Sequence, residues 1–382
     1  MAEINRRTLV QLLKLPEHLY CADCGAEGPK WASYNIGIFI CTECAACHRN
    51  LGSHISKVKS VFMDNWDLAQ VQMMKDMGND KAKEKYQVHV PLCYKRPCPT
   101  DVQVLKEQWI QAKYLRQEFI LPEKPIYLKG FMEGYLWKRG KENEKFHLRK
   151  FVLNESDDSL RYYVKENKEP KLVMKVSELN AVFCPMKVDH ANAMQITFVK
   201  DGTTRNIFVY ADDGKDIVNW YMAIRSAKLN QMQIAFPESD PNEVAKHLTP
   251  EFLKEGWLRK KGPRSGDTYR LRWLTLDNRR LMYLTNPLDP YPKGEIFIGY
   301  KENGFSVDKY ILDVKQVGFG FILETPERSF IFSSDSEEEQ KEWIEVLQKI
   351  MNQPLTVQDK NTAAIIVQKR HTFSSQFHAL KV

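Results

Sequence analysis

The sequence has few of the features that place a chain in a membrane or outside the cell. No apolar run reaches the ~18 residues that a spanning helix requires. The opening MAEINRRTLVQLLKLPEHLY lacks the long apolar core and the small-residue cleavage site of a signal peptide. Its Leu9, Leu12 and Leu13 predict one face of a short amphipathic helix instead. Charge of one sign is also scarce. The 56 Lys and Arg residues stand against 49 Asp and Glu, a net charge of +7 over 382 residues. That excess permits an anionic partner but is too small and too spread out to require nucleic acid. With 43% hydrophobic and 27% charged residues, the composition is that of a globular protein, not a disordered one. Cysteine is limited to eight residues. A chain expected to stay in the reducing cytoplasm has little use for them as disulfides.

Five of the eight cysteines lie in CADCGAEGPKWASYNIGIFICTECAACHRN, residues 21–50. Cys21, Cys24, Cys41 and Cys44 form two Cys-x-x-Cys pairs with sixteen residues between them, which is a zinc spacing. Each short pair makes a turn that aims two thiolates inward. Four thiolates close a tetrahedron at ~2.3 Å per bond and leave no open position. One structural Zn²⁺ is therefore expected, framing a loop-rich segment with little core of its own. Cys47 or His48 stands close enough to replace a ligand in another register.

The rest of the chain contains an echo. EGYLWKRG (133–140) returns as EGWLRKKG (255–262), followed by LRKFVLN in the first unit and LRWLTLD in the second. Each unit runs through about seven short strands with polar turns and ends in a helical pattern bearing a tryptophan, Trp220 or Trp343. Such a sheet is expected to curl into a barrel, with the helix closing an open end and its Trp in the core. The linker QMQIAFPESDPNEVAKHLTPEF joins the units, with a short helical stretch around Asn242–His247. Ahead of the repeats, TDVQVLKEQWIQAKYLRQEF predicts an amphipathic helix with Leu105, Trp109, Ala112 and Phe119 near one face. The expected organisation is multidomain α+β: a zinc module over 1–125, barrels over 130–231 and 253–352, a linker over 232–252, and a mobile tail over 353–382.

Strand alternation puts alternate residues on one face. In the second repeat Arg270 and Arg272 share a face, with Lys260 on the strand before, Tyr283 on the strand after and Lys293 just beyond. Lys138, His147, Arg149, Tyr162 and Lys171 hold the matching places in the first. Several cations converging from neighbouring strands can hold a multiply charged anion by strong charge-assisted hydrogen bonds. Lys141, Lys145 and Arg264 are further loop cations that could touch an anionic surface. A basic recognition helix is missing from the zinc segment, so nucleic acid is not expected as a partner.

Three sequence elements carry a family resemblance: Trp31-Ala32-Ser33 between the Cys pairs, Ala45-Ala46-Cys47-His48-Arg49 after them, and His54-Ile55-Ser56-Lys57-Val58-Lys59-Ser60. This set resembles the zinc-bearing catalytic domain of the Arf GTPase-activating proteins. With two later barrels whose opening strands resemble pleckstrin-homology domains, the whole chain looks like the dual pleckstrin-homology subfamily, the centaurin-alpha proteins. The resemblance implies an activator of Arf-family small GTPases that performs no covalent chemistry itself. It makes Arg49 the arginine supplied to the GTPase, with Trp31, Phe39 and His48 facing the GTPase or supporting that surface. It also implies barrel sites for phosphatidylinositol bisphosphate or trisphosphate and soluble inositol polyphosphates, and recruitment from the cytoplasm to the plasma membrane. In two places the chain departs from the family: Ala45-Ala46 stands where Ser-Gly is usual, and Phe62 where a polar residue is usual. Those departures favour the alternative, an inositide-targeted adaptor whose zinc module binds partners without activating a GTPase.

Overall fold

The computed structural model describes residues 2–356, apart from 121–122, 142–143, 166, 201, 265 and 313–317, together with Asp359 and Ala363. The amino-terminal module opens with α1 (Ala2–Leu12), then the short strands β1 (Trp31–Ser33) and β2 (Ile38–Ile40), α2 (Thr42–Asn50) and β3 (Val58–Ser60). The helices α3 (Leu68–Asp76), α4 (Gly78–Tyr86) and α5 (Gln103–Ile110) follow. The three strands pair antiparallel in the order β2-β1-β3. Gly37 turns the β1–β2 hairpin at φ +83°, where a Cβ would lie 2.4 Å from Met77, so no other residue fits. Leu9 is buried with Ala32, Phe39, Val61, Trp66, Val71 and Met74, and Leu12 and Leu13 pack on the edge of that cluster. The helix predicted to reach Phe119 is shorter than expected. After α5 it widens into a π-helical turn over Gln111–Leu115. Phe119 is still fully buried, but it enters the core from the turn beyond.

The first barrel consists of β4 (Phe131–Arg139), β5 (Phe146–Asn154), β6 (Ser159–Tyr163), β7 (Leu172–Lys175), β8 (Asn180–Phe183), a short α6 (Pro185–Val188), β9 (Ala193–Lys200), β10 (Thr203–Tyr210) and α7 (Gly214–Ala235). The sheet order is β7-β6-β5-β4-β10-β9-β8. After α8 (Pro241–Lys246), the second barrel repeats the plan: β11 (Lys254–Lys261), β12 (Tyr269–Asp277), β13 (Arg280–Leu284), β14 (Gly294–Phe297), β15 (Ser306–Tyr310), β16 (Phe319–Glu324), β17 (Ser329–Ser334) and α9 (Glu337–Met351). Its order is β14-β13-β12-β11-β17-β16-β15. Each sheet thus has seven strands and a carboxy-terminal helix, as the repeat predicts.

The echo has a packing reason. Gly134 and Gly256 follow the glutamate of each EG pair. A Cβ on Gly134 would sit 3.5 Å from the Trp220 indole, and one on Gly256 3.9 Å from the Trp343 indole. Each glycine is the floor on which its closing tryptophan lies. Both indoles are buried, Trp343 among Leu258, Leu274, Phe321, Phe332 and Leu347.

Residues 1–140, 144–194 and 209–249 make one compact unit, and residues 141–143, 195–208 and those from Pro250 onward make a second. Within the first unit, α7 is tied to the amino-terminal module. The buried Arg225 donates to the Cys93 carbonyl (2.7 Å), the Thr249 hydroxyl (2.6 Å) and the Ala245 carbonyl (3.0 Å). Cys93, Leu229, Ala245 and Leu248 pack together beside it.

The tail expected to be mobile is not loose at its start. Arg279, 4% exposed, donates to the carbonyls of Gln353 (2.5 Å) and Pro354 (3.1 Å) and pairs with Asp359 at 3.1 Å. A buried guanidinium needs such partners, and this one recruits the segment that follows α9. Apart from Asp359 and Ala363, the residues after 356 lie outside those described. Among the described residues, no helix is long and apolar enough to cross a membrane.

Candidate metal centre, exposed arginine and cationic barrel mouths

Cys21 and Cys24 lie in the turn after α1, and Cys41 and Cys44 in the first turn of α2. The four Sγ atoms all fall within 4.8 Å of one another. A ZnS₄ tetrahedron with ~2.3 Å bonds sets its sulfurs about 3.8 Å apart, and Cys24 and Cys41 are 3.6 Å apart. The donor set and geometry therefore fit a four-coordinate metal bound by these thiolates. Without a metal, the mutual hydrogen bonds among the four thiols lower Cys24 and Cys41 and raise Cys21 and Cys44. Cys47 stands outside the cluster. It is buried, accepts from Gln103 at 3.1 Å, and its thiol is pushed up to about 12 by burial. His48 points away from the cluster as well, so the register with Cys47 or His48 as a ligand has no geometric support.

His48 anchors a buried polar chain. Its Nε2 donates to Asp23 Oδ2 at 2.9 Å, since a carboxylate can only accept. Its Nδ1 pairs with the Ser56 hydroxyl at 2.8 Å, and Ser56 meets Ser33 at 2.7 Å. The other Asp23 oxygen accepts from Lys113 Nζ (2.7 Å) and the Tyr114 hydroxyl (3.0 Å). Burial alone would raise the Asp23 pKa. The Lys113 charge and the His48 hydrogen bond outweigh it and hold the carboxyl well below the usual carboxylate range. Lys106 repeats the device two turns earlier, donating to Glu43 of α2 at 2.5 Å and to the Pro99 carbonyl at 2.6 Å. The knuckle, α2, β1 and α5 are thereby fixed to one another.

Arg49 is the residue this frame presents. It occupies the last turn of α2, and its guanidinium is exposed and lies over the Trp31 ring at 4.4 Å. A cation there also suits the helix dipole. Gly52 ends the helix at φ +87°, its N–H donating to the Arg49 carbonyl, a left-handed cap that glycine adopts without strain. Trp31 is half-buried beneath Arg49, whereas Phe39 and His48 are fully buried and can act only from behind the surface. Ala45 and Ala46 lie in ordinary helix, outside the positive-φ positions. Their replacement of Ser-Gly therefore brings no backbone strain. Phe62 is 44% exposed.

In the second barrel, Lys260 stands opposite Arg270 and Leu258 opposite Arg272 in the β11–β12 register. The three cations thus share the face that continues inward to the core. With Tyr283, Lys261, Asp267 and Thr268 they line an open cleft of about 240 Å³. Lys260 Nζ lies 5.0 Å from the Tyr283 ring, and burial, then Arg328 and Arg272, lower its pKa to about 8. Lys293 is not among the residues lining the cleft. It is exposed, and its backbone N–H donates to the Tyr283 carbonyl.

The first barrel matches closely. Lys138 stands opposite His147, its Nζ is 5.0 Å from the Tyr162 ring, and Arg149 lies opposite Leu136. Arg149 and Arg272 each donate to the carbonyl of the preceding leucine. Lys171, like Lys293, is exposed and touches the tyrosine strand through its backbone.

Sequence reasoning missed Asp23, Ser56, Lys113 and Tyr114, and it missed Arg328. Lys106 and Lys113 carried a readable signal: seven residues apart, they lie on the same predicted helix face as the apolar residues. Arg328 sits in a turn and carried none.

The sequence profile of the ArfGap family, described as "Putative GTPase activating protein for Arf", matches residues 6–123, and that of the PH domain matches 130–229 and 252–352. The chain is 43% identical over 370 residues to the human Arf-GAP with dual PH domain-containing protein 2, covering 95% of this chain and 97% of that protein. Over 117 residues it is 49% identical to human stromal membrane-associated protein 1, covering 31% of this chain and 24% of that protein. A third relative is a probable ADP-ribosylation factor GTPase-activating protein, AGD13, of Arabidopsis thaliana. It is 44% identical over 119 residues, 31% of this chain and 35% of that protein. Two family profiles in this order, and near end-to-end likeness to one relative, establish that the chain belongs to the family of Arf-GAP proteins with dual PH domains.

Proposed function

We propose that the protein accelerates GTP hydrolysis by an Arf-family GTPase, with Arg49 as the arginine supplied in trans. The observation that carries this is the contrast between neighbours: His48 is locked in a buried chain while Arg49, one residue on, is exposed and laid on Trp31. Phosphoryl transfer concentrates negative charge on the transferred group, and a guanidinium delivered there is worth about 10³–10⁵ in rate. Its planar fork and permanent charge suit two phosphate oxygens. The protein is thus an activator and not itself an enzyme. One zinc held by Cys21, Cys24, Cys41 and Cys44 supplies structure only, by fixing the start of α2.

The two barrel mouths bind polyphosphoinositides, bisphosphate or trisphosphate, and their soluble headgroups. Lys138, His147, Arg149 and Tyr162 act in one mouth, and Lys260, Arg270, Arg272 and Tyr283 in the other. Lys171 and Lys293 contribute from the rims. The protein is cytoplasmic and reaches the plasma membrane through these mouths.

The test is single-turnover GTP hydrolysis by Arf-family GTPases on vesicles with and without polyphosphoinositide, comparing wild type with Arg49→Lys. Acceleration by wild type alone supports the arginine assignment, and its lipid dependence reports on the mouths. If neither protein accelerates hydrolysis while both bind the vesicles, the adaptor reading stands in its place, with the exposed Phe62 as the first surface to test.

A further inference from the structure

The cleft at the mouth of the second barrel suits an anion, yet a carboxylate stands in its wall. Asp267 lines it together with Lys260, Lys261, Arg270 and Arg272. An aspartate in a loop can swing into solvent, but this one is held. Its Oδ2 accepts the backbone N–H of Arg264 at 2.9 Å, and its own N–H donates to the Arg264 carbonyl at 3.1 Å. The side chain also lies against Gly262, where a Cβ would stand 2.4 Å from Oδ2 and 2.7 Å from Cγ. A glycine there is what lets the carboxylate come so close. Among the described residues no cation forms an ion pair with Asp267. Its charge reaches Lys260 and works against the burial, and then Arg328 and Arg272, that lower the lysine. The first barrel has an acid in the same place and uses it differently. Glu144 and Asp267 each stand two residues before the next strand begins, at Phe146 and Tyr269. Glu144 pairs with the buried Arg139 at 3.3 Å. Lys261 holds Arg139's place in the register, but its Nζ lies 5.8 Å from the Tyr269 ring.

We propose that Asp267 sets the specificity of the second mouth: it accepts a hydrogen bond from a free hydroxyl of a phosphorylated inositol ring and turns away a ring that presents a phosphate there. This rests on the reading of the mouth as a headgroup site and names which rings it takes. An ionised carboxylate can only accept. A ring hydroxyl can donate to it, and hydrogen bonds to an ionised group are strong. A phosphate brings acceptor oxygens and charge of the same sign, and like charges set side by side are costly. The cations of the cleft attract any polyphosphate. The one acid discriminates, because specificity is a difference of affinities and an unfavourable contact creates it. In the first mouth the acid is tied to Arg139, so hydroxyl and phosphate at that place are taken alike.

The test compares two soluble rings. Inositol hexakisphosphate has no free hydroxyl, so no orientation offers one to Asp267. The tetrakisphosphate that is the headgroup of phosphatidylinositol trisphosphate keeps free hydroxyls. Calorimetry is run on the full chain with the first mouth disabled by Lys138→Ala and Arg149→Ala, with and without Asp267→Asn. Asparagine keeps the size and the acceptor for the Arg264 N–H and removes only the charge, and thermal midpoints establish folding. Hexakisphosphate is expected to bind Asp267→Asn about tenfold more tightly, the worth of one relieved like-charge contact. Tetrakisphosphate is expected to gain nothing. Gains of the same size for both rings overturn the proposal, since Asp267 then acts only through its general field. No change for either ring overturns it too and leaves Asp267 as a staple of its loop. Vesicles carrying phosphatidylinositol trisphosphate tell a lipid ring from a soluble one. If they bind, hexakisphosphate should displace Asp267→Asn at about a tenth of the concentration that wild type needs. If they do not bind while tetrakisphosphate does, the ligand is the soluble ring, and the calorimetric contrast still decides for or against Asp267. Failure to bind either ring or the vesicles, before Asp267 is changed, overturns the headgroup reading and the proposal together. With the second mouth disabled instead by Lys260→Ala and Arg272→Ala, Glu144→Gln should leave the preference between the two rings unchanged. A shift like that of Asp267→Asn would overturn the contrast between the mouths.

Discussion

Asp23 and Lys260 are both buried among charges, with opposite consequences. Asp23 is fully enclosed and is held ionised by Lys113, His48 and Tyr114. Removing one partner of a buried ion pair leaves the other uncompensated, at about 3–5 kcal/mol. Asp23→Asn is therefore expected to lower the stability of the zinc module by that order in urea unfolding. Pairing it with Lys113→Met should recover most of the loss, because no charge is then stranded. A double variant as unstable as the sum of the singles would show that the pair is not coupled. Lys260 is half-buried, and its burial, then the nearby Arg328 and Arg272, lower its pKa to about 8. It carries its charge below that pH and loses it above. An anionic headgroup favours the charged form, so binding near pH 8 takes up a fraction of a proton. Affinity for a soluble inositol polyphosphate should be steady up to about pH 7 and fall as pH rises through 8 and 9. In Lys260→Arg, whose charge does not titrate in this range, the fall should disappear. Calorimetry at three pH values reads both.

At the scale of elements, α9 and α7 close their barrels through one large side chain each. Trp343 is fully buried over Gly256. Trp343→Ala should cost about 3–5 kcal/mol through lost transfer energy and the cavity left behind, visible as a lower thermal midpoint. Gly256→Ala should cost far less, since its Cβ would meet Trp343 at 3.9 Å and the flexible Glu339 side chain at 3.3 Å. These elements were legible because their signals are local and periodic. The EG pair, the alternation through Arg270 and Arg272, and the closing Trp all sit at fixed spacings along the chain. The cysteine pairs were legible for the same reason. Contacts decided by tertiary packing were not. Ser56 reaches His48 across eight residues and Lys113 reaches Asp23 across ninety, and no local pattern records such a pairing. The end of α5 was misjudged because the apolar spacing from Leu105 to Ala112 runs on smoothly into Phe119. The widening to a π turn at Gln111 leaves no mark in that periodicity.

For the molecule as a whole, the contacts within the first unit predict how it melts. Arg225 on α7 holds the Cys93 carbonyl of the zinc module and the linker at Ala245 and Thr249 together, and Tyr221 adds a hydroxyl bond to Thr249 at 2.7 Å. The zinc module and the first barrel therefore share buried polar partners that neither can satisfy alone. The second barrel closes its own core around Trp343. Scanning calorimetry should show two transitions, one of which belongs to the zinc module and first barrel together. Stripping the metal with a chelator removes the frame of a loop-rich segment. It should shift or abolish that shared transition, end GTPase activation, and leave the second transition and its inositol polyphosphate binding in place. Arg225→Ala should split the shared transition, so that chelation afterwards moves only the part belonging to the zinc module. If chelation instead leaves the first barrel's transition untouched in the wild type, the contacts through Arg225 do not couple the two, and lipid capture by the first barrel needs no intact zinc module.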